Sequence, residues 1–101
     1  MKSEEKNKVI AEFMGYKFEA KTNRIIFNAK ENNYAYYDPD ESWDWLMPVV
    51  EKIEGMGYNV RIIGNECEIE SNNPFSLISY SEPTKIQAVH KAIYQFITQN
   101  Q

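Results

Sequence analysis

One cysteine and one histidine are all that this chain of 101 residues offers to thiol and imidazole chemistry. Cys67, being alone, closes no intramolecular disulfide and leaves no basis for a cysteine-built zinc site; His90, being alone, removes most histidine-based metal and nucleophile schemes. Arginine is scarce as well: Arg24 and Arg61 are the two present, few for a protein that grips phosphate. The formal charge of −4 opposes sequence-independent attachment to DNA or RNA, so direct nucleic-acid binding is not expected. No apolar run approaches the ~18 residues of a membrane span and no leader pattern opens the chain, which predicts a soluble, cytoplasmic protein. The four glycines each fall at a turn or a helix end, so no loop is left to cradle phosphate, and neither G-x-S-x-G nor H-E-x-x-H occurs. The patterns below put Cys67 on a core-facing strand position and His90 beside the apolar stripe of a helix, where both are structural. No catalytic residue, metal ligand or cofactor is therefore assigned, and the expectation is a protein that is not an enzyme.

What is present suffices for a core. Hydrophobic residues make up 43% and aromatics 14% of the chain, and the length fits a single domain over residues 1–101. A first helix opens near Ser3, turns Val9, Ile10, Phe13 and Met14 to one side, and stops at Gly15. "YKFEAKTNRIIFNA" then switches to a period of two; a turn at Thr22–Asn23 predicts Ala20 opposite Ile25 and Phe18 opposite Phe27. "YAYY" (Tyr34–Tyr37) adds a short strand before Pro39. A second helix over about Ser42–Glu54 precedes "YNVRIIGNECEIE", whose Gly64–Asn65 turn sets Ile62 opposite Cys67, Val60 opposite Ile69 and Arg61 opposite Glu68. "PFSLISY" reads as a further strand. "SEPTKIQAVHKAIYQFI" closes the chain as a helix capped by Ser81, with a stripe of Ile86, Val89, Ile93, Phe96 and Ile97. The order α-ββ-α-ββ-α predicts an α/β (α+β) fold, a layered helix–sheet–helix sandwich around one mostly antiparallel sheet of about four to six strands.

The middle helix carries both tryptophans in "DPDESWDWLMPVVEKIE" (Asp38–Glu54). With Ser42 as its cap, Trp43, Leu46, Met47, Val50 and Ile53 share one side, and Trp45, Val49 and Met56 widen that side at a margin. The margin is either core or an exposed patch for a partner, and a homodimer would also cover it. The acids Asp38, Asp40, Glu41 and Asp44 fail as a calcium loop: counted from Asp38, the sixth position holds Trp43 where glycine is needed and the twelfth holds Val49 where glutamate is needed. They suit a helix start or an acidic surface that enters a basic groove, with Glu66, Glu68 and Glu70 as a second acidic row. Tyr34 and Tyr36 fall on one strand face and Tyr37 on the other, a composition suited to contact surfaces and to stacking on a base.

Four blocks carry a family resemblance: "IAEFMG" (Ile10–Gly15), "SWDWLMPVVEKIE" (Ser42–Glu54), "GY" (Gly57–Tyr58) and "TKIQAVHKAIYQFI" (Thr84–Ile97). They resemble the phage ABA-sandwich domain, a family of small uncharacterised proteins of bacteriophages and mobile elements of Bacteroides-type bacteria. The resemblance implies helix, sheet and helix layers and carries over no catalytic residue; the chain departs from the pattern mainly between Gly15 and Ser42, a short, tyrosine-rich segment. The phage setting implies residence in an infected bacterial cell and a counter-defence role, that of a non-enzymatic protein that engages and inhibits a host protein. Its expected surface combines Tyr34, Tyr36, Tyr37, Asp38, Asp40 and Glu41 with the Trp45, Val49 and Met56 margin. The alternative is a protein that sequesters a nucleotide signal without turnover, using tyrosine stacking plus Lys17, Lys21, Arg24 and Arg61. A phage structural or accessory component is the third reading.

Overall fold

Three helices alternate with two β-meanders in the computed structural model, which describes residues 3–19, 21–28, 33–72 and 75–99. Helix α1 (Ser3–Phe13) ends in a Schellman motif: the Gly15 amide donates to the Glu12 carbonyl at 3.0 Å and the Tyr16 amide to the Ala11 carbonyl at 2.9 Å. Gly15 sits at φ 83°, a left-handed conformation that costs glycine nothing. The helix buries Asn7, Ile10 and Ala11, with Val9, Phe13 and Met14 packed at the edge of the core.

Strands β1 (Lys17–Glu19), β2 (Arg24–Asn28) and β3 (Asn33–Tyr36) form the first antiparallel sheet, in that order. Its register corrects the sequence reading: Phe18 faces Ile25 and Glu19 faces Arg24, so residues 20–23 form the connection rather than Thr22–Asn23 alone. Ala20 and the Phe27 side chain lie outside the described residues. Side-chain chemistry sets the longer loop. Thr22 Oγ1 donates to Glu19 Oε1 at 2.6 Å and accepts from Arg24 Nε at 2.8 Å, while Asn23 takes the left-handed conformation at φ 55°. The slip is two residues, the period of a strand, so each side chain keeps its expected face. Phe18, Ile25 and Ala35 turn to the core; Lys17, Glu19, Arg24, Ile26, Tyr34 and Tyr36 share the outer face.

Helix α2 (Trp43–Gly55) follows Ser42, which occupies the cap position in extended conformation without a side-chain cap bond. Pro48 is interior and exposed. Leu46, Val49, Val50 and Ile53 are buried. Lys52, in the last turn, donates to the Phe13 carbonyl and lies 4.4 Å from the Phe13 ring centre, which ties the end of α2 to the end of α1.

The second sheet runs β4 (Asn59–Ile63), β5 (Glu66–Asn72), β6 (Phe75–Ser81), all antiparallel. The pairs Ile62–Cys67, Val60–Ile69 and Arg61–Glu68 stand as the sequence predicts, and Gly64 takes φ 57° at the first turn position. The expected single sheet is, among the described residues, two sheets of three strands: α2 stands between β3 and β4 in the chain and no ladder joins them. Helix α3 (Lys85–Gln99) is capped by Thr84, not Ser81: Ser81 ends β6, and Thr84 Oγ1 accepts the Gln87 amide at 3.3 Å, the Thr-x-x-Gln spacing of a capping box. α3 packs on β5, β6, α1 and α2, and one buried cluster runs from Ile25 and Tyr37 through Ile53 and Ile69 to Ile93 and Phe96. Each Ile, Leu or Val in it contributes about 1.5–3 kcal/mol on burial.

Candidate functional site

The first sheet and its β1–β2 turn carry three of the four predicted ligand-binding cations. Lys17 lies on β1, Lys21 in the following turn and Arg24 on β2, with Lys17 and Lys21 exposed. Arg24 is held from three sides. Its Nη2 meets Glu19 Oε1 at 3.2 Å, its Nε donates to Thr22, and its guanidinium carbon lies 4.0 Å from the Tyr34 ring centre. The hydrogen bond from Thr22, followed by that from Arg24, lowers the Glu19 carboxyl below its ordinary range. Register places Tyr36 directly opposite Arg24, and Tyr34 and Tyr36 are 47% and 68% exposed. Arg61 does not join them: it lies on β4 in the other sheet, 3.9 Å from Glu68.

Two residues expected at the partner surface are interior. Tyr37 is fully buried, because the strand period turns it away from Tyr34 and Tyr36; its ring meets Trp45, Tyr16 and Phe18 edge-on at centroid distances of 5.2, 5.6 and 6.4 Å. Burial raises its phenol pKa. Val49 is fully buried because the helical period lines it up with Leu46, Val50 and Ile53. Trp43 and Trp45 are half-buried against the core, whereas Met56 is exposed at the end of α2. Asp38 closes a turn, its carbonyl accepting the Glu41 and Ser42 amides at 2.9 and 2.8 Å.

Asp40 and Glu41 instead line a cleft of about 350 Å³ with His90, Lys6, Glu82 and Lys91. A chain of hydrogen bonds crosses its floor. Asn7 Nδ2 donates to Asp40 Oδ1 at 2.9 Å, and Asn7 Oδ1 faces His90 Nε2 at 3.1 Å. Since the Asn7 amide already donates to Asp40, its oxygen is left to accept, which assigns the proton to His90 Nε2. Burial lowers His90 to about 4, with nearby Asp40 opposing that and Lys6 adding to it, so the imidazole is neutral at pH 7. Lys91 pairs with Glu82 at 3.4 Å and covers the Tyr80 ring at 4.9 Å. Lys6, Asn7, Glu82 and Lys91 were not picked out from sequence; for Asn7 the signal was a polar residue in phase with Ile10, Ala11 and Met14 on a core-facing stripe.

Cys67 is fully buried, and burial, with a smaller contribution from Glu68, pushes its thiol up to about 12. Among the described residues no three His, Cys, Asp or Glu side chains gather around a metal position, and no helix is long and apolar enough to cross a membrane. No family model, curated protein or solved structure matches the chain. The phage-family resemblance therefore rests on the four sequence blocks themselves.

Proposed function

We propose that this chain is a non-catalytic binding protein whose recognition surface is the outer face of the first sheet. The observation that carries the reading is Arg24 locked between Glu19, Thr22 and the Tyr34 ring, opposite the exposed Tyr36. Tyrosine buries much area for two rotors, and an arginine guanidinium already fixed in place loses little further freedom on binding. The thiol is buried and held protonated, and the imidazole is buried and bonded to Asn7, which supports binding over turnover. In the setting that the resemblance implies, a helix–sheet–helix sandwich of phage or mobile-element origin, the partner is a host protein that the chain engages and inhibits.

A second reading has its own support: Lys17 and Arg24 share the outer face with the exposed Tyr36, and Lys21 lies in the adjoining turn, a face suited to an anionic aromatic ligand such as a nucleotide signal. One comparison separates the two. Tyr36→Ala should keep the melting temperature of the parent and lose about 1–2 kcal/mol or more of affinity for the protein captured from host lysate. Stoichiometric calorimetric binding of a cyclic or linear nucleotide, with the ligand recovered intact, favours the second reading. Unchanged capture by both Tyr36→Ala and Arg24→Ala excludes this face.

A further inference from the structure

We propose that strand β6 is a docking edge for an extended, basic segment of a partner protein, which joins the second sheet as a fourth strand. Among the described residues, β6 pairs with β5 on one side and with nothing on the other. At seven residues it is the longest strand with a free edge; the other edge strands, β1, β3 and β4, have three, four and five. Its ladder with β5 runs from Glu66–Ser81 to Asn72–Phe75 without a register shift. Exposed edges are usually blunted by lysine, proline or a bulge, because a row of free N–H and C=O groups recruits another strand. FSLISYS holds no charge and no proline.

A groove of about 230 Å³ follows this edge, walled by Leu77, Ile78, Ser79 and Tyr80 on the strand and by Gln95 and Gln99 one turn apart on α3. An incoming strand thus finds backbone partners on one side and two amide side chains on the other, the arrangement used when a peptide is added between a sheet edge and a helix.

Charge identifies the occupant. The outer face of β5 carries Glu66, Glu68 and Glu70, paired across to Ser81, Ser79 and Leu77 on β6. A strand added beside β6 lies about 10 Å from β5, two strand spacings away. The short side chains of Ser79 and Ser81 leave that span open, so a lysine or arginine at alternate positions of the added strand extends over them to the glutamates. Arg61, 3.9 Å from Glu68, answers the row from the β4 side alone. A second copy of this chain is the poorer occupant, since it brings the same glutamates and a formal charge of −4.

The test uses the full chain and two synthetic peptides of about ten residues, one alternating lysine with valine and one alternating glutamate with valine. The lysine peptide should bind one to one, protect the amides of Leu77–Ser81 from hydrogen exchange, and weaken steeply with salt; the glutamate peptide should not bind. The variant E66Q/E68Q/E70Q, altered only on the solvent side, should keep its circular dichroism and lose at least about tenfold in affinity for the lysine peptide. S79K, which sets a like charge on the edge itself, should lose binding as well. Three results overturn the proposal: equal binding of both peptides or of neither, protection confined to amides outside β6, or light scattering that gives a dimer whose β6 amides are protected without peptide.

Discussion

His90 illustrates how a residue's place in the fold can be legible while its partners are not. Its place beside an apolar helix stripe is readable from sequence, but its partners are not, because Asn7 is 83 positions away in the sequence and Asp40 lies in a separate loop. The cost of that arrangement is a pH dependence. Burial lowers the folded-state value from 6.5 to about 4, so between those values the unfolded chain takes up a proton that the folded chain refuses. The stabilisation is complete above about pH 6.5 and is lost as pH falls toward 4, where the loss levels off near 3 kcal/mol. Urea unfolding at pH 7, 5.5 and 4 should show that decline, and His90→Gln, which keeps a donor but cannot titrate, should flatten it. An equal slope in the variant would assign the pH dependence to carboxylates such as Glu19, whose depressed value acts in the same direction.

At the scale of elements, legibility followed how much of the determining chemistry was local. The β4–β5 hairpin was fully readable, since pattern, glycine turn and the Arg61–Glu68 pair lie within a dozen residues and agree. The β1–β2 hairpin was readable in its faces but not its register, because the Glu19–Thr22–Arg24 network that lengthens the loop has no simple sequence signature. The α3 cap differs by three residues, Thr84 against the expected Ser81: the strand read as "PFSLISY" continues one residue further and takes Ser81 into β6, while the Thr84–Gln87 capping-box spacing marks the helix start. Pro48 gives a prediction at this scale. With Ser42 as cap, it stands one turn inside α2 and removes the amide that would bond to the Asp44 carbonyl, while its ring is exposed and fills no core space. Pro48→Ala restores the donor and improves propensity, against a small entropic gain for the unfolded chain. A net stabilisation of about 1–2 kcal/mol is expected in urea or thermal unfolding. A loss of stability would mean that the proline ring carries contacts its exposure does not suggest.

Across the whole molecule, the division into two sheets was the feature least available from sequence. Strand patterns show which face is apolar, but whether β3 and β4 share a ladder depends on where α2 sits between them. The division places the basic, tyrosine-bearing face on one meander and the glutamate row on the other, so each proposed surface stands on its own sheet. Three strands alone are close to the lower limit for an independent sheet, and here both meanders contribute to the same buried cluster, which α3 completes. Cooperative unfolding follows from that sharing. Tryptophan fluorescence reports the first meander through the Trp45 contact with Tyr37, and far-ultraviolet circular dichroism reports the molecule as a whole. The two urea transitions should coincide in the parent protein. Ile93→Ala, at a fully buried position of α3, should shift both midpoints together by an amount equivalent to about 2–5 kcal/mol. If α3 supported only the second meander, the fluorescence transition would hold its midpoint while the dichroism transition moved. That separation would mean two folding units joined by α2, and the two proposed surfaces would then need no common core to hold them in one orientation.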